Sequence, residues 1–223
     1  MRKCLVRGIF GGAMSVALLG VAHASVVWDL DSGFGNETLG TVTLTQVSAD
    51  EVDVAVVLTD AAFVNTGHGH DNTGNGHDAF TFNLDLTKGY SIQMQNTSIG
   101  MFSLSPDTAP DNEPFGSFTN GIDCSGCNSG GSHPFSGPLD FSVTDSSGIS
   151  ISDFIPNDTP GKYYFAADVR LPDGNTGSIA ATTAIDPPDP TPVPEPSSFL
   201  LLGTALFGIA LTRQKVRLRL LRS

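Results

Sequence analysis

Basic residues are almost absent from the long middle of this 223-residue chain. Only Lys88, Lys162 and Arg170 lie between the two basic termini, whereas all 23 Asp and Glu fall between Asp29 and Glu195. Three basic residues against 23 acidic ones leave this segment with a formal charge of −20. Such a surface repels nucleic acid phosphates and anionic lipid headgroups, so neither is expected as a partner. Cations, basic proteins and neutral glycans remain compatible with it.

Helical periodicity is absent between the terminal segments, and short runs with strand character replace it. In AFTFNLDL (79–86) every second residue is Phe or Leu, which predicts a half-buried strand, and KYYFAADVR (162–170) alternates in the same way. The run VDVAVVL (52–58) is more continuously apolar, which is typical of a central strand. About eight to ten such strands in residues 25–184 predict an all-β domain. We expect a single β-sandwich of jelly-roll or immunoglobulin-like type.

The N-terminal residues 1–24 have the three parts of a secretory signal peptide. A basic start precedes an apolar stretch, and the segment ends in Ala22-His23-Ala24. This pattern predicts cleavage after Ala24, with an uncleaved membrane anchor as the less favoured alternative because the apolar part is short and interrupted by Gly. Export would place the mature chain in an oxidising compartment.

The C-terminal residues divide into three short segments of contrasting composition. Residues 185–196 form a Pro-rich linker, which favours a stiff, extended spacer. Residues 197–212 contain the uncharged run FLLLGTALFGIAL, which predicts a short transmembrane helix. As a helix this run would extend about 20 Å, against a hydrocarbon core of about 30 Å. The basic residues of 213–223 would stay cytoplasmic, and the acidic domain would lie on the exported side.

Pro194, Glu195 and Pro196, the apolar run and the basic end together resemble the PEP-CTERM sorting domain. The resemblance covers about 30 C-terminal residues and departs from the family pattern where hydrophobic residues interrupt the long basic tail. It implies recognition of the Pro-Glu-Pro motif by exosortase, a membrane-embedded transpeptidase of Gram-negative bacteria that make exopolysaccharide. It further implies a transient membrane attachment through the C-terminal helix, removal of the tail, and delivery to the cell surface or extracellular matrix.

A loop rich in Gly and Asn, NTGHGHDNTGNGHDAF (65–80), carries a candidate metal site. Its candidate ligands are His68, His70, Asp71, His77 and Asp78. Imidazole with carboxylate suits zinc, and carboxylates with amide oxygens suit calcium, so a divalent cation is the candidate cofactor. An ordinary polar turn built from Gly and Asn is the preferred interpretation, since no complete metal-binding motif is present and no cofactor is certain.

A second local motif, Cys124-Ser-Gly-Cys127, lies in a Gly- and Ser-rich stretch. In an exported domain this spacing favours a small disulfide that closes a loop. A metal site that includes His133 would lack a fourth ligand, and a redox role would need a strand followed by a helix. The disulfide is therefore the preferred interpretation.

Motifs of common enzyme classes are missing from the sequence: there is no Gly-x-Ser-x-Gly elbow, phosphate-binding loop or dinucleotide fingerprint. The sequence analysis therefore predicts no catalytic residue. It favours a non-catalytic exported protein associated with exopolysaccharide. The alternatives are a purely structural surface protein and a metal-dependent hydrolase of surface glycans that uses His68, His70 and His77 as ligands.

Overall fold

Short strands dominate the computed structural model, which describes residues 23–35, 37–66, 77–85, 89–106, 109–127 and 132–185. These residues form thirteen strands and two 3-10 helices and contain no α-helix, which confirms the all-β prediction. The strands are β1 (Ser25–Asp29), β2 (Gly40–Ser48), β3 (Glu51–Leu58), β4 (Ala62–Phe63), β5 (Phe80–Leu84), β6 (Ser91–Met94), β7 (Ser103–Leu104), β8 (Asn120–Asp123), β9 (Leu139–Thr144), β10 (Phe154–Ile155), β11 (Phe165–Arg170), β12 (Thr176–Ala181) and β13 (Ala184–Ile185). Four of them have two residues, too few to show periodicity in a sequence.

The strands are arranged in two antiparallel sheets. Sheet I has six strands in the order β13-β1-β2-β3-β9-β6. Sheet II has seven, in the order β12-β11-β5-β8-β7, with β4 paired to β11 and β10 paired to β5. Strands β1, β2 and β3 are neighbours in sequence as well as in space, whereas β9 reaches β3 from far along the chain and sets Phe141 opposite Val54.

Aromatic side chains join the two sheets face to face into a β-sandwich. Phe82 of sheet II lies 5.3 Å from Phe141 of sheet I between ring centroids, and Trp28 of sheet I lies 5.3 Å from Phe165 of sheet II. Edge-on and tilted ring contacts of this kind add to the free energy gained by burying the rings. The choice between a jelly-roll and an immunoglobulin-like type stays a prediction.

Strands β5 and β11 are buried on both faces, so the expectation of half-buried strands was wrong for them. Thr81 and Asn83, on the face of β5 that points away from the sandwich core, are both buried. The cause is a second layer over sheet II, in which Phe115 and Phe118 pack against small alanines of β11 and β12. Alternation in the sequence does not reveal this layer, because the covering loop, residues 110–118, lies about 30 positions from β5 along the chain.

Gly121 allows this covering loop to lie close to sheet II. A Cβ atom on Gly121 would lie 2.7 Å from Pro110 Cβ and 2.9 Å from Asp78 Cγ, closer than real Cβ contacts. The loop therefore approaches the backbone of β8 at a position that has no side chain.

The predicted terminal segments lie outside the described residues. These are most of the signal peptide, the linker beyond Ile185, the apolar segment 197–212 and the basic tail 213–223. Strand β1 begins at Ser25, directly after the predicted cleavage position at Ala24, and that cleavage stays a prediction. Among the described residues there is no helix whose length and apolar character would let it cross a membrane.

Candidate functional site

Two of the five predicted metal ligands, His77 and Asp78, lie just before β5, which begins at Phe80. The other three, His68, His70 and Asp71, lie outside the described residues. His77 is half-buried beside Asp111 of the covering loop, and Asp78 is buried. Within the described residues, no group of three or more His, Cys, Asp or Glu side chains could hold a metal ion. The metal site therefore stays a prediction.

His77 belongs to a network of polar side chains on the outer face of sheet II. Asn112 is its centre: Nδ2 donates to Asp78 O at 3.1 Å and to Thr81 Oγ1 at 3.0 Å. Asn112 Oδ1 accepts a hydrogen bond from Ser178 Oγ at 3.2 Å, and Ser178 Oγ lies 3.4 Å from His77 Nδ1. Because the Ser178 hydroxyl donates to Asn112, it accepts from His77 Nδ1. This arrangement leaves Nε2 as the ring nitrogen that can accept a proton or bind a metal.

Asp168 lies next to this network, opposite Ser178 in the pairing of β11 with β12. Its side chain is 0% exposed. Its Oδ2 accepts two hydrogen bonds from Thr66, at 2.6 Å from the backbone nitrogen and 2.7 Å from the hydroxyl. Burial raises the pKa of Asp168 from 3.8 to about 7, although both hydrogen bonds from Thr66 lower it.

The two residues that precede position 67 are each held by two hydrogen bonds. Thr66 binds Asp168, as described, and Asn65 binds both backbone groups of Cys124. Asn65 Oδ1 accepts from Cys124 N at 3.1 Å, and Asn65 Nδ2 donates to Cys124 O at 3.3 Å. The start of the candidate metal loop is therefore fixed in two places: to β11 of sheet II through Asp168, and to the turn after β8 through Cys124.

Cys124 and Cys127 are joined by a disulfide, with their Cα atoms 5.2 Å apart. Both side chains are buried, and Cys127 N donates to Cys124 O at 3.0 Å to close a tight turn. His133 N donates to Cys127 O at 3.3 Å, but the His133 side chain is exposed. Since both sulfurs are used in the disulfide, neither is a thiolate ligand or nucleophile in this state. The turn instead provides the backbone groups that Asn65 binds.

A groove of about 440 Å³ opens between the edges of the two sheets. One wall is Tyr90 and the start of β6, the edge strand of sheet I; the other is β7 and the start of β8 in sheet II. Its lining includes Tyr90, Ser91, Ile92, Leu104, Thr119 and Asn120. None of the described residues that line it is Asp, Glu, Lys, Arg or His. In a domain with so many acidic residues, the described lining of this groove is uncharged.

A chain of hydrogen bonds fixes the side chains of the groove. Tyr90 Oη donates to Asn120 Oδ1 at 2.5 Å, a bond that joins the two sheets, and Asn120 Nδ2 donates to Thr119 Oγ1 at 2.9 Å. Thr119 N donates to Asn83 Oδ1 at 2.7 Å. Sequence analysis missed this site because Tyr90 and Asn120 are 30 residues apart and neither belongs to a recognisable motif. It missed Asp168 because alternation in β11 assigns that residue to the face expected to contact solvent.

Comparison with known proteins finds one family. A family model described as the PEP-CTERM protein-sorting motif matches residues 192–214, which include Pro194, Glu195 and Pro196. The chain therefore carries a PEP-CTERM sorting motif at its C-terminal end, and the motif supports export and sorting by an exosortase. No curated protein and no solved structure matches the chain.

Proposed function

We propose that this chain is a non-catalytic protein of the cell surface or extracellular matrix that associates with exopolysaccharide after sorting by an exosortase. The observation that carries the proposal is the sorting motif at residues 192–214, placed after a β-sandwich domain. The predicted signal peptide of residues 1–24 agrees with it, because a sorting tail can act only on a chain that reaches the membrane.

The charge of the domain supports a partner of a particular kind. Its formal charge of −20 between Asp29 and Glu195 disfavours nucleic acids and anionic lipid surfaces. Uncharged polysaccharide carries no such penalty, and a matrix that contains it would accept an acidic protein. Association with exopolysaccharide rests further on what the sorting motif implies about the bacteria that use it.

The predicted segment 197–212 has a defined part in this proposal. It would hold the chain in the membrane while the exosortase acts, and the Pro-rich residues 185–196 would separate the folded domain from that enzyme. A helix of about 20 Å in a hydrocarbon core of about 30 Å is a marginal anchor, which is sufficient for a transient attachment.

The proposal is tested in the native host by following where the chain goes. Glu195→Ala changes the sorting motif, and Pro188→Ala is the matched control in the same Pro-rich stretch outside the matched residues. The wild-type chain and the Pro188→Ala variant should be found in the surface and matrix fraction together with polysaccharide. Glu195→Ala should accumulate in the membrane fraction, as should the wild-type chain in a host without its exosortase.

Two results would contradict the proposal. Equal surface delivery of Glu195→Ala and of the wild type would show that the motif does not direct sorting. Complete separation of the delivered protein from polysaccharide during mild extraction of the matrix would remove the glycan part and leave a purely structural protein.

A further inference from the structure

We propose that the groove between β6 and β8 is a binding site for an uncharged oligosaccharide segment, with Tyr90 as its apolar platform. This inference rests on the proposed function for the source of the ligand, the polysaccharide among which the protein would lie. The site is defined by the geometry of the groove, the hydrogen-bonding capacity of its side chains and the uncharged character of its described lining.

The hydroxyl of Thr119 has one unused donor. A hydroxyl oxygen has two lone pairs and one proton. Both lone pairs of Thr119 Oγ1 are used, by Leu84 N at 3.3 Å and by Asn120 Nδ2 at 2.9 Å. The proton of this exposed side chain is therefore available to an acceptor in the groove, such as a sugar oxygen.

Tyr90 and Asn120 complete the hydrogen-bonding arrangement around the Thr119 hydroxyl. Tyr90 Oη uses its proton on Asn120 Oδ1 and can still accept a hydrogen bond. Asn120 is buried, gives one Nδ2 proton to Thr119 and accepts from Tyr90, so it fixes the positions of both groups. The groove thus offers donors and acceptors close together, and a sugar hydroxyl is both a donor and an acceptor. Their positions are set before a ligand arrives, which lowers the entropy lost on binding.

Apolar surface lies beside these polar atoms. Tyr90 is half-buried and packs against the core, so its ring is held in place. Leu104, on the facing wall, is 49% exposed. The faces of a pyranose ring carry C–H groups and its rim carries hydroxyls. A site with an aromatic ring, an exposed aliphatic side chain and uncharged polar atoms fits that distribution.

Among the residues that the structure describes, the uncharged lining of the groove favours an uncharged ligand over a charged polymer or a second copy of the chain. A uronic acid polymer would approach a strongly acidic domain and find no Arg, Lys or His among the described lining residues to pair with its carboxylates. A second copy of this chain could add a strand to the edge of β6, but it would bring the same negative charge. Neutral sugar meets neither obstacle.

The test uses the full mature protein purified from its host and measures binding calorimetrically. The probes are cellohexaose, maltohexaose and the neutral polysaccharide fraction of the host matrix, with oligogalacturonate as the charged comparison.

Tyr90→Ala should weaken binding of the neutral ligand by about tenfold or more, equivalent to about 1.4 kcal/mol. Leu104→Ala should weaken it by about threefold, and because Leu104 is half exposed this variant retains the fold. Val57→Ala, a similarly exposed aliphatic residue outside the groove, should bind as the wild type does.

Several results would overturn the inference. Absence of binding of every neutral probe by the wild type would do so, as would equal affinities of the wild type and of correctly folded Tyr90→Ala and Leu104→Ala. Preference for oligogalacturonate would refute the charge argument. A dimer that forms with rising concentration and is lost in Leu104→Ala would assign the groove to a second copy of the chain. If the wild type is retained by the matrix and Tyr90→Ala is retained equally, the groove fails while the proposed function stands. If the wild type never reaches the matrix, the proposed function fails, and the calorimetric measurements still decide whether the groove binds neutral sugar.

Discussion

Replacement of Asp168 by asparagine tests whether the buried carboxyl makes the stability of the domain depend on pH. The folded protein raises the pKa of Asp168 from 3.8 to about 7, because burial disfavours its charged form. Each pKa unit corresponds to about 1.4 kcal/mol, so this pKa shift changes the free energy of unfolding by about 4 kcal/mol between low and high pH. That is a large part of the free energy of unfolding of an ordinary domain.

The direction of the effect follows from where the proton resides. Between about pH 4 and about pH 7 the folded carboxyl keeps its proton, whereas the carboxyl in the unfolded chain has lost it. The folded state therefore binds more protons than the unfolded state, and the free energy of unfolding falls as the pH rises through this window. The stabilising contribution is complete below about pH 4, and Asp168 adds no further slope above about pH 7.

The assay is urea unfolding at several pH values from about 4 to about 8, with the free energy of unfolding extrapolated to water. Asp168→Asn removes the titrating group. The difference in the free energy of unfolding, wild type minus variant, should therefore fall by about 4 kcal/mol as the pH rises from about 4 to about 7. Asp158→Asn, at an exposed aspartate, is the control for the substitution itself. Parallel pH profiles for the wild type and Asp168→Asn would refute the reasoning, whatever the constant difference in stability between them.

Four further predictions follow from the same structure. Thr66→Val removes a hydrogen bond that lowers the pKa of the same carboxyl, so the pH window should extend upward, as read from the same unfolding series; an unchanged window would contradict the assigned contact. Replacing Cys124 and Cys127 by serine should lower the free energy of unfolding by about 2 kcal/mol, the estimate for so short a loop, and equal stability of the two forms would contradict it. Phe82→Ala should cost about 3–5 kcal/mol, because its ring contacts both sheets, and a loss below about 1 kcal/mol would argue against the two-sheet core. If the predicted histidine ligands hold a metal, mature protein should contain it stoichiometrically and lose it on replacement of those histidines by alanine; metal-free protein from metal-replete cells would remove the hydrolase alternative.

Strands β2 and β3 of sheet I were predictable because their alternation is set by a single buried face. Val42 and Leu44 of β2 are buried and alternate with partly exposed threonines, as the sequence pattern indicates. Val52, Val54 and Val56 of β3 are buried in the same way, with β2 and β9 on either side of this strand. Period-two alternation carries enough information when only one side of a sheet meets solvent.

The outer layer of sheet II and the groove were not predictable, and the reasons differ. Asp168 follows the alternation of β11, but Thr66, which donates both hydrogen bonds to its carboxylate, is 102 residues away in the sequence. The groove depends on the distance between Tyr90 at the entry to β6 and Asn120 at the start of β8, which belong to different sheets. Only the packing of the sandwich brings these two side chains together, and no local signal encodes that packing.

The most direct test of the central claim is the intact mass of the protein recovered from the cell surface or matrix of its native host, with and without the exosortase. The account predicts a form that begins at Ser25 and has lost the segment beyond the Pro194–Pro196 motif when the enzyme is present, and a longer, membrane-bound form when it is absent. A surface form with its tail complete in cells that contain the exosortase would contradict the account, because the sorting motif would then not be processed.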